Sequence, residues 1–80
     1  MFKDFAACTA WTDAMQEHRQ PIGLILYQPK RRGAPVRVLW VVIPGCSCLS
    51  DAETAADHLL QRITDIAADG RVHYADGGTL

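Results

Sequence analysis

A chain of 80 residues with 49% apolar residues has room for one thin core, and this composition excludes a disordered protein. The formal net charge of -1 and the isoelectric point near 6.2 exclude a globally basic nucleic-acid binder, whose isoelectric point usually exceeds about 9. We therefore expect a single α+β domain over residues 1–80, with a loose tail at about 76–80.

The start of the chain, MFKDF, carries charges at once and lacks the apolar segment of a signal peptide. No apolar run approaches the roughly 18 residues that a membrane span needs. The cysteines Cys8, Cys46 and Cys48 form an odd set, which is typical of reduced thiols rather than of a disulfide framework. The sequence therefore predicts a cytoplasmic protein without membrane contact, in a host bacterial cytoplasm.

The first predicted element is a helix over residues 3–18. Phe2, Phe5 and Trp11 fall roughly on one helical face, together with alanine and methionine. The helix cannot continue to Pro21, because the residue before a proline avoids the α region.

The next predicted element is a β-hairpin with strands IGLILYQ (22–28) and VRVLWVVI (36–43). Both segments are rich in β-branched and aromatic residues, and prolines flank both of them, as at strand ends. Gly33 supplies the positive φ that the connecting turn needs. The segment QPKRRGAP (28–35) is therefore predicted to be the exposed tip of the hairpin.

Both faces of this predicted hairpin are apolar. One face offers Leu24, Leu26, Val38, Trp40 and Val42, and the other offers Ile25, Tyr27, Leu39, Val41 and Ile43. Either helices cover opposite faces of the sheet, or they cover one face and a partner buries the other, since a monomer rarely exposes such a patch. The face around Tyr27 and Leu39 is a candidate surface for a homodimer.

The last part of the chain predicts a second helix over residues 51–69 and a short strand, RVHYA (71–75). Ser50 and Glu53 have the spacing of a capping box at the start of the helix, and Gly70 fits the position that ends it. The predicted fold is therefore α+β in the order α-β-β-α-β, with two helices and a three-stranded, mainly antiparallel sheet.

The charges are unevenly distributed along the chain. Four cations and no acid lie between residues 28 and 37, whereas six acids stand against two arginines from residue 51 onward. Lys30, Arg31, Arg32, Arg37, Asp57 and Asp65 are the candidate partner-binding residues. Asp57 and Asp65 fall on the polar face of the predicted second helix, with Gln61 between them. The alternative is that both clusters are only solvated, as most surface charges are.

The segment Gly45-Cys46-Ser47-Cys48 is the sequence's one candidate for metal or thiol chemistry. Cys46 and Cys48 would bind zinc together with His58, but their spacing differs from the usual C-x2-C pair. The favoured interpretation is that these thiols, like Cys8, are packing residues. The sequence has no phosphate-binding glycine motif and no catalytic arrangement of side chains, so we expect no enzyme, metal or cofactor.

The hairpin PIGLILYQPKRRGAPVRVLWVVIP and the acidic segment SDAETAADHLLQRITDIAADG together resemble, in style, the small phage-encoded anti-CRISPR proteins. These are inhibitors of type I CRISPR–Cas surveillance complexes. The resemblance covers the whole chain but includes no shared motif, so it assigns no role to any residue. It implies a non-catalytic protein that binds the Cascade complex and blocks recruitment of target DNA or of the nuclease.

Two other functions stay open at this point. A small homodimeric regulatory or toxin–antitoxin-like module would contact nucleic acid through the basic hairpin, and its DNA binding would be sensitive to salt. A thiol- or zinc-dependent enzyme would instead bind stoichiometric zinc.

Overall fold

The computed structural model describes residues 1–42 and 45–75 of the chain. The elements are β1 (Phe2–Asp4), β2 (Cys8–Glu17), β3 (Gln20–Pro29), β4 (Arg37–Val41), α1 (Leu49–Arg62), β5 (Ile63–Ile66) and β6 (Val72–Tyr74). The first four strands form an antiparallel sheet in the order β1-β2-β3-β4, and β5 and β6 form a separate antiparallel pair. The protein is α+β, but the predicted order with two helices and a three-stranded sheet is wrong.

The predicted first helix, over residues 3–18, is replaced by β1 and β2. Side chains in β2 alternate, because Cys8, Ala10 and Thr12 are buried while the intervening residues are more exposed. A two-residue turn at His18 and Arg19 joins β2 to β3, and both residues have positive φ angles, of 48° and 66°. Asn-Gly is the usual sequence for such a turn, so this hairpin lacks the common sequence signal.

The predicted hairpin of the middle segments is confirmed, since β3 pairs with β4 in antiparallel register. Its turn contains Gly33 with a φ of 77°, and the amide of Ala34 donates to the carbonyl of Arg31 at 3.1 Å. The second strand is shorter than predicted, since β4 covers Arg37–Val41 and the described residues Val36 and Val42 lie outside it. Ile43 and the predicted tail at 76–80 lie outside the described residues.

The helix differs from its prediction at both ends. Its N-cap is Cys48, and no side chain caps it; Ser50 lies inside the first turn, so the capping box is wrong. Beyond Arg62 the chain forms β5, where β-branched residues favour a strand. Gly70, with a φ of 91°, belongs to the turn before β6, and β6 pairs with β5 rather than with the hairpin. The described part of the chain has no helix long and apolar enough to span a membrane.

Helix α1 covers one face of the four-stranded sheet, which we call the inner face; the opposite side is the outer face. A Cβ atom on Gly23 would lie 2.5 Å from the carbonyl oxygen of Ala52, so only glycine permits this close approach. Lys3 fixes the other end of the helix, because its Nζ donates to the carbonyl of Ile63 at 2.6 Å. The buried core consists of Phe5, Cys8, Ala10, Ile25, Tyr27, Val41, Ala56, Leu60, Ile63, Ile66 and Val72.

Candidate functional site

The outer face of the sheet carries a row of apolar side chains that crosses all four strands. In the strand register Phe2 lies opposite Trp11, Trp11 opposite Leu26, and Leu26 opposite Val38. Directly opposite residues in antiparallel strands project to the same face, so these four side chains are neighbours. Phe2 is 67% exposed at one end of the row.

A second row lies beside the first and brings a carboxylate onto the outer face. Asp13 lies opposite Leu24, and Leu24 lies opposite Trp40, which is 59% exposed. Val42, which directly follows β4, is 62% exposed. These two rows contain no lysine or arginine. These two rows of the outer face are thus aromatic and aliphatic with one acidic side chain, and the helix lies on the other side of the sheet.

This arrangement decides whether the face around Tyr27 and Leu39, which was predicted as a homodimer surface, is open. Tyr27 and Leu39 project from the inner face, where Tyr27 is buried and Leu39 packs against the core. The face that stays open is the one around Phe2, Val38 and Trp40. The contribution of Phe2 and Trp11 was missed because residues 3–18 were predicted to be helical. The segment CTAWTDAMQE places apolar residues in adjacent pairs rather than in alternation, so its pattern gave no signal for a strand.

The basic hairpin tip is partly neutralised within the molecule. Lys30 Nζ lies 2.9 Å from Asp4 Oδ1, and Asp4 also accepts the hydroxyl of Thr9 at 3.1 Å. The hydrogen bond from Lys30, followed by the one from Thr9, holds the pKa of Asp4 below its usual range. Arg31 and Arg32 remain exposed at the tip.

The other predicted partner-binding residues are not brought together. Arg37 is exposed on β4 and lies opposite Tyr27, on the inner side. Asp57 is half-buried and accepts the hydroxyl of Thr12, and the amino group of Met1 lies 3.6 Å from the same oxygen. Asp65 is half-buried on β5, not on the helix. The predicted acidic helix face therefore does not form.

The three cysteines lie in different environments. Cys8 is fully buried on β2, and this burial raises the pKa of its thiol. Cys46 is half-buried with its Sγ 3.5 Å from the carbonyl oxygen of Cys48, and Cys48 is exposed. Within residues 1–42 and 45–75, no three His, Cys, Asp or Glu side chains are grouped to hold a metal ion, so His58 does not complete the predicted zinc set there.

A cleft opens beside β4, between this strand and the helix. It has a volume of about 370 Å³, and its lining consists of Val41, Ala55, His58, Leu59 and Arg62. The helix packs mainly over β2 and β3, which leaves the inner side of β4 partly uncovered. Sequence patterns do not reveal this lateral offset of the helix, so the cleft was not predicted.

Comparison with known proteins finds no match to a protein-family model, to a curated protein or to a solved structure. Functional inference therefore depends on the geometry of the chain itself. The outer face and the cleft beside β4 are the two surfaces that this geometry singles out.

Proposed function

We propose that the protein is a non-catalytic binding module that docks another protein on its outer face. The observation that carries the proposal is the exposure of Phe2, Val38 and Trp40 on one face of a small sheet. Contiguous apolar surface of this kind is rare on a monomer unless it is functional. Tryptophan is also among the residues that most often anchor protein interfaces.

The composition of the outer face favours a protein over a nucleic acid. Binding to a nucleic acid depends on cations that neutralise phosphates, whereas the two apolar rows contain Asp13 and no lysine or arginine. The exposed cations Arg31 and Arg32 lie at the hairpin tip. In the proposed complex they steer an acidic partner toward the interface and raise the rate of association.

The surveillance complex of a type I CRISPR–Cas system is the partner that the resemblance implies, and it stays a prediction. In this version of the proposal, the outer face occupies the site on the complex that recruits target DNA or the nuclease. Neither step requires chemistry from the bound chain, which is consistent with a surface of apolar side chains rather than of nucleophiles and bases.

The test compares two double variants of exposed residues. Phe2→Ser with Trp40→Ser removes the apolar anchors, and Arg31→Ser with Arg32→Ser is the matched change at the hairpin tip. We expect the first pair to weaken capture of a purified type I surveillance complex by about 30-fold or more per anchor, and to abolish protection of a targeted phage. The tip pair should reduce capture by at most about tenfold and make it less sensitive to salt.

The results test three parts of the proposal separately: the binding surface, the CRISPR partner and the non-catalytic role. Normal capture by the apolar pair together with loss in the tip pair would move the interface to the tip. A wild-type chain that neither captures the complex nor protects the phage would contradict the CRISPR partner. Catalytic turnover by the purified chain would contradict a purely binding role.

A further inference from the structure

The two edges of the four-stranded sheet differ in how well they resist a further strand. The edge at β1 has only three residues, and two of them, Lys3 and Asp4, are charged. The edge at β4 has five residues, of which only Arg37 is charged. Short and charged edges prevent pairing with other chains, so β4 is the less protected edge.

The backbone of β4 is available for pairing on one side. In an antiparallel strand, every second residue directs its N–H and C=O away from the neighbouring strand. Because β4 is last in the order of the sheet, these groups point away from β3, and no strand within residues 1–42 and 45–75 pairs with them.

The cleft lies directly beside this open edge. Val41 reaches it from β4, while Ala55 and Leu59 contribute apolar surface from the helix. Side chains on an added strand would alternate between two environments. One set would enter the cleft on the inner side, and the other would extend the outer face next to Trp40.

We propose that β4 binds an extended segment of the partner protein as a fifth, antiparallel strand of the sheet. This inference rests on the proposed function, because it specifies how the protein partner is held. Backbone hydrogen bonds supply part of the affinity, and alternate side chains supply the specificity.

The chemistry of the segment follows from the residues it faces. Positions opposite Val41 and Leu39 project to the inner side, where Val41, Ala55 and Leu59 of the cleft lining favour apolar side chains. The next inward position faces Arg37, and a carboxylate there forms an opposite-charge pair across the strands. Since the segment runs antiparallel to β4, its motif from N- to C-terminus is apolar-x-apolar-x-acidic.

A second copy of this chain fits the edge poorly. In a two-fold antiparallel pairing centred on Leu39, each copy's Arg37 would lie opposite the other copy's Val41. This pairing would place a guanidinium in a cleft whose lining contains no carboxylate. Burial of a charge without a partner is costly, so a foreign acidic and apolar segment is the better occupant.

The experiment uses the full chain and a phage-displayed library of random 12-residue peptides as the probe. Panning should enrich the apolar-x-apolar-x-acidic motif, and an enriched peptide should slow amide exchange at alternate residues of β4 in NMR spectra. N-methylation of every second amide in the peptide should abolish binding, whereas methylation of the intervening amides should leave it within about threefold.

Protein variants supply the matched control. Ala55→Arg fills the cleft and should weaken peptide binding by about tenfold or more, while Thr54→Arg adds the same charge at a neighbouring exposed position outside the cleft lining and should not. If Ala55→Arg does not fold, binding of the N-methylated peptides to the wild-type chain still tests the inference.

Three results would overturn the inference: no enrichment of the motif, unchanged amide exchange in β4, or equal effects of both N-methyl series. Peptides that lose binding on Phe2→Ser but not on Ala55→Arg would also overturn it, because they occupy the outer face. That last result would leave the proposed function intact. Loss of partner capture in the outer-face variants without any effect of Ala55→Arg would separate the two proposals in the same way.

Discussion

The inner and outer faces of the four-stranded sheet are built from alternate residues of the same strands, yet they differ in how much of their apolar surface is covered. Where the helix crosses the inner face, the strands contribute small residues such as Cys8, Ala10 and Gly23. The outer face contributes Phe2 and Trp40, which are 67% and 59% exposed. Small residues allow close packing of the helix, whereas large exposed residues do not stabilise the isolated chain. This difference is the basis of the proposal that one face serves folding and the other serves contact with a partner.

Truncation of a core side chain tests whether the inner face stabilises the fold, and we expect it to have the largest effect on the free energy of unfolding. Leu60 is fully buried beneath the sheet, so Leu60→Ala removes apolar contacts and leaves a cavity. We expect a loss of about 2–5 kcal/mol in the free energy of unfolding, measured by urea denaturation. Leu49→Ala is the control on the same helix, because Leu49 is exposed, and it should cost less than about 0.5 kcal/mol. Equal losses in both variants would contradict the described core.

Enlargement on the inner face should have the next largest effect. Gly23→Ala places a methyl group against the backbone of Ala52, which cannot move without shifting the helix. Overpacking of this kind costs about 1–3 kcal/mol, and a lower Tm would reveal it. Ala14→Ser is the control at the position opposite Gly23, where the side chain is only half-buried. A Gly23→Ala variant as stable as the wild type would show that the helix does not approach the sheet this closely.

A smaller effect is expected where the β1 edge fixes the helix. Lys3 Nζ donates to carbonyl groups in the last turn of α1 and at Ile63, and Lys3→Met keeps the apolar stem but removes these bonds. We expect a loss of about 1–2 kcal/mol by urea denaturation.

Lys30→Met is the matched control for Lys3→Met, because it removes only an exposed pair with Asp4. Its effect on stability should be smaller than that of Lys3→Met, but the pKa of Asp4 should rise toward its usual value in an NMR titration. Because the pKa of Asp4 is lowered in the folded state, its small contribution is present above its unfolded pKa and is lost as pH falls through its folded pKa. An Asp4 titration that is unchanged in Lys30→Met would contradict the pairing.

The contrast between the two hairpins explains how much of the fold the sequence predicts. The β3–β4 hairpin is predictable because prolines flank both strands and Gly33 marks the turn. The β2–β3 hairpin is not, since its turn consists of His18 and Arg19, and its first strand contains alanine, methionine, glutamine and glutamate, which favour helices in isolation. Pairing with β3 overrides that local preference.

The C-terminal end of the helix is a second feature that the local sequence does not predict. Ile63 and Ile66 continue the spacing of a helical apolar stripe, so residues 51–69 look like one helix in the sequence. The helix ends earlier because these residues pair with β6, and because Lys3, distant in sequence, binds the last carbonyl groups. The pair between Lys30 and Asp4 likewise depends on β1, so the true charge of the hairpin tip could not be predicted locally.

The outer half of the comparison is tested by Trp40→Ser, for which we expect the smallest effect on stability. Trp40 is 59% exposed on an edge strand, so the isolated chain gains little from burying it. The free energy of unfolding should change by less than about 1 kcal/mol, which is the range of β-propensity differences.

Urea denaturation at two protein concentrations, ten times apart, would detect self-association as well. A homodimer through this face would make the unfolding midpoint of the wild type depend on concentration and that of Trp40→Ser independent of it. Equal midpoints at both concentrations, with partner capture lost in the variant, would establish that Trp40 serves a foreign partner. A loss above about 2 kcal/mol at both concentrations would instead show that the chain itself buries this side chain, and the outer face would then belong to folding rather than to binding.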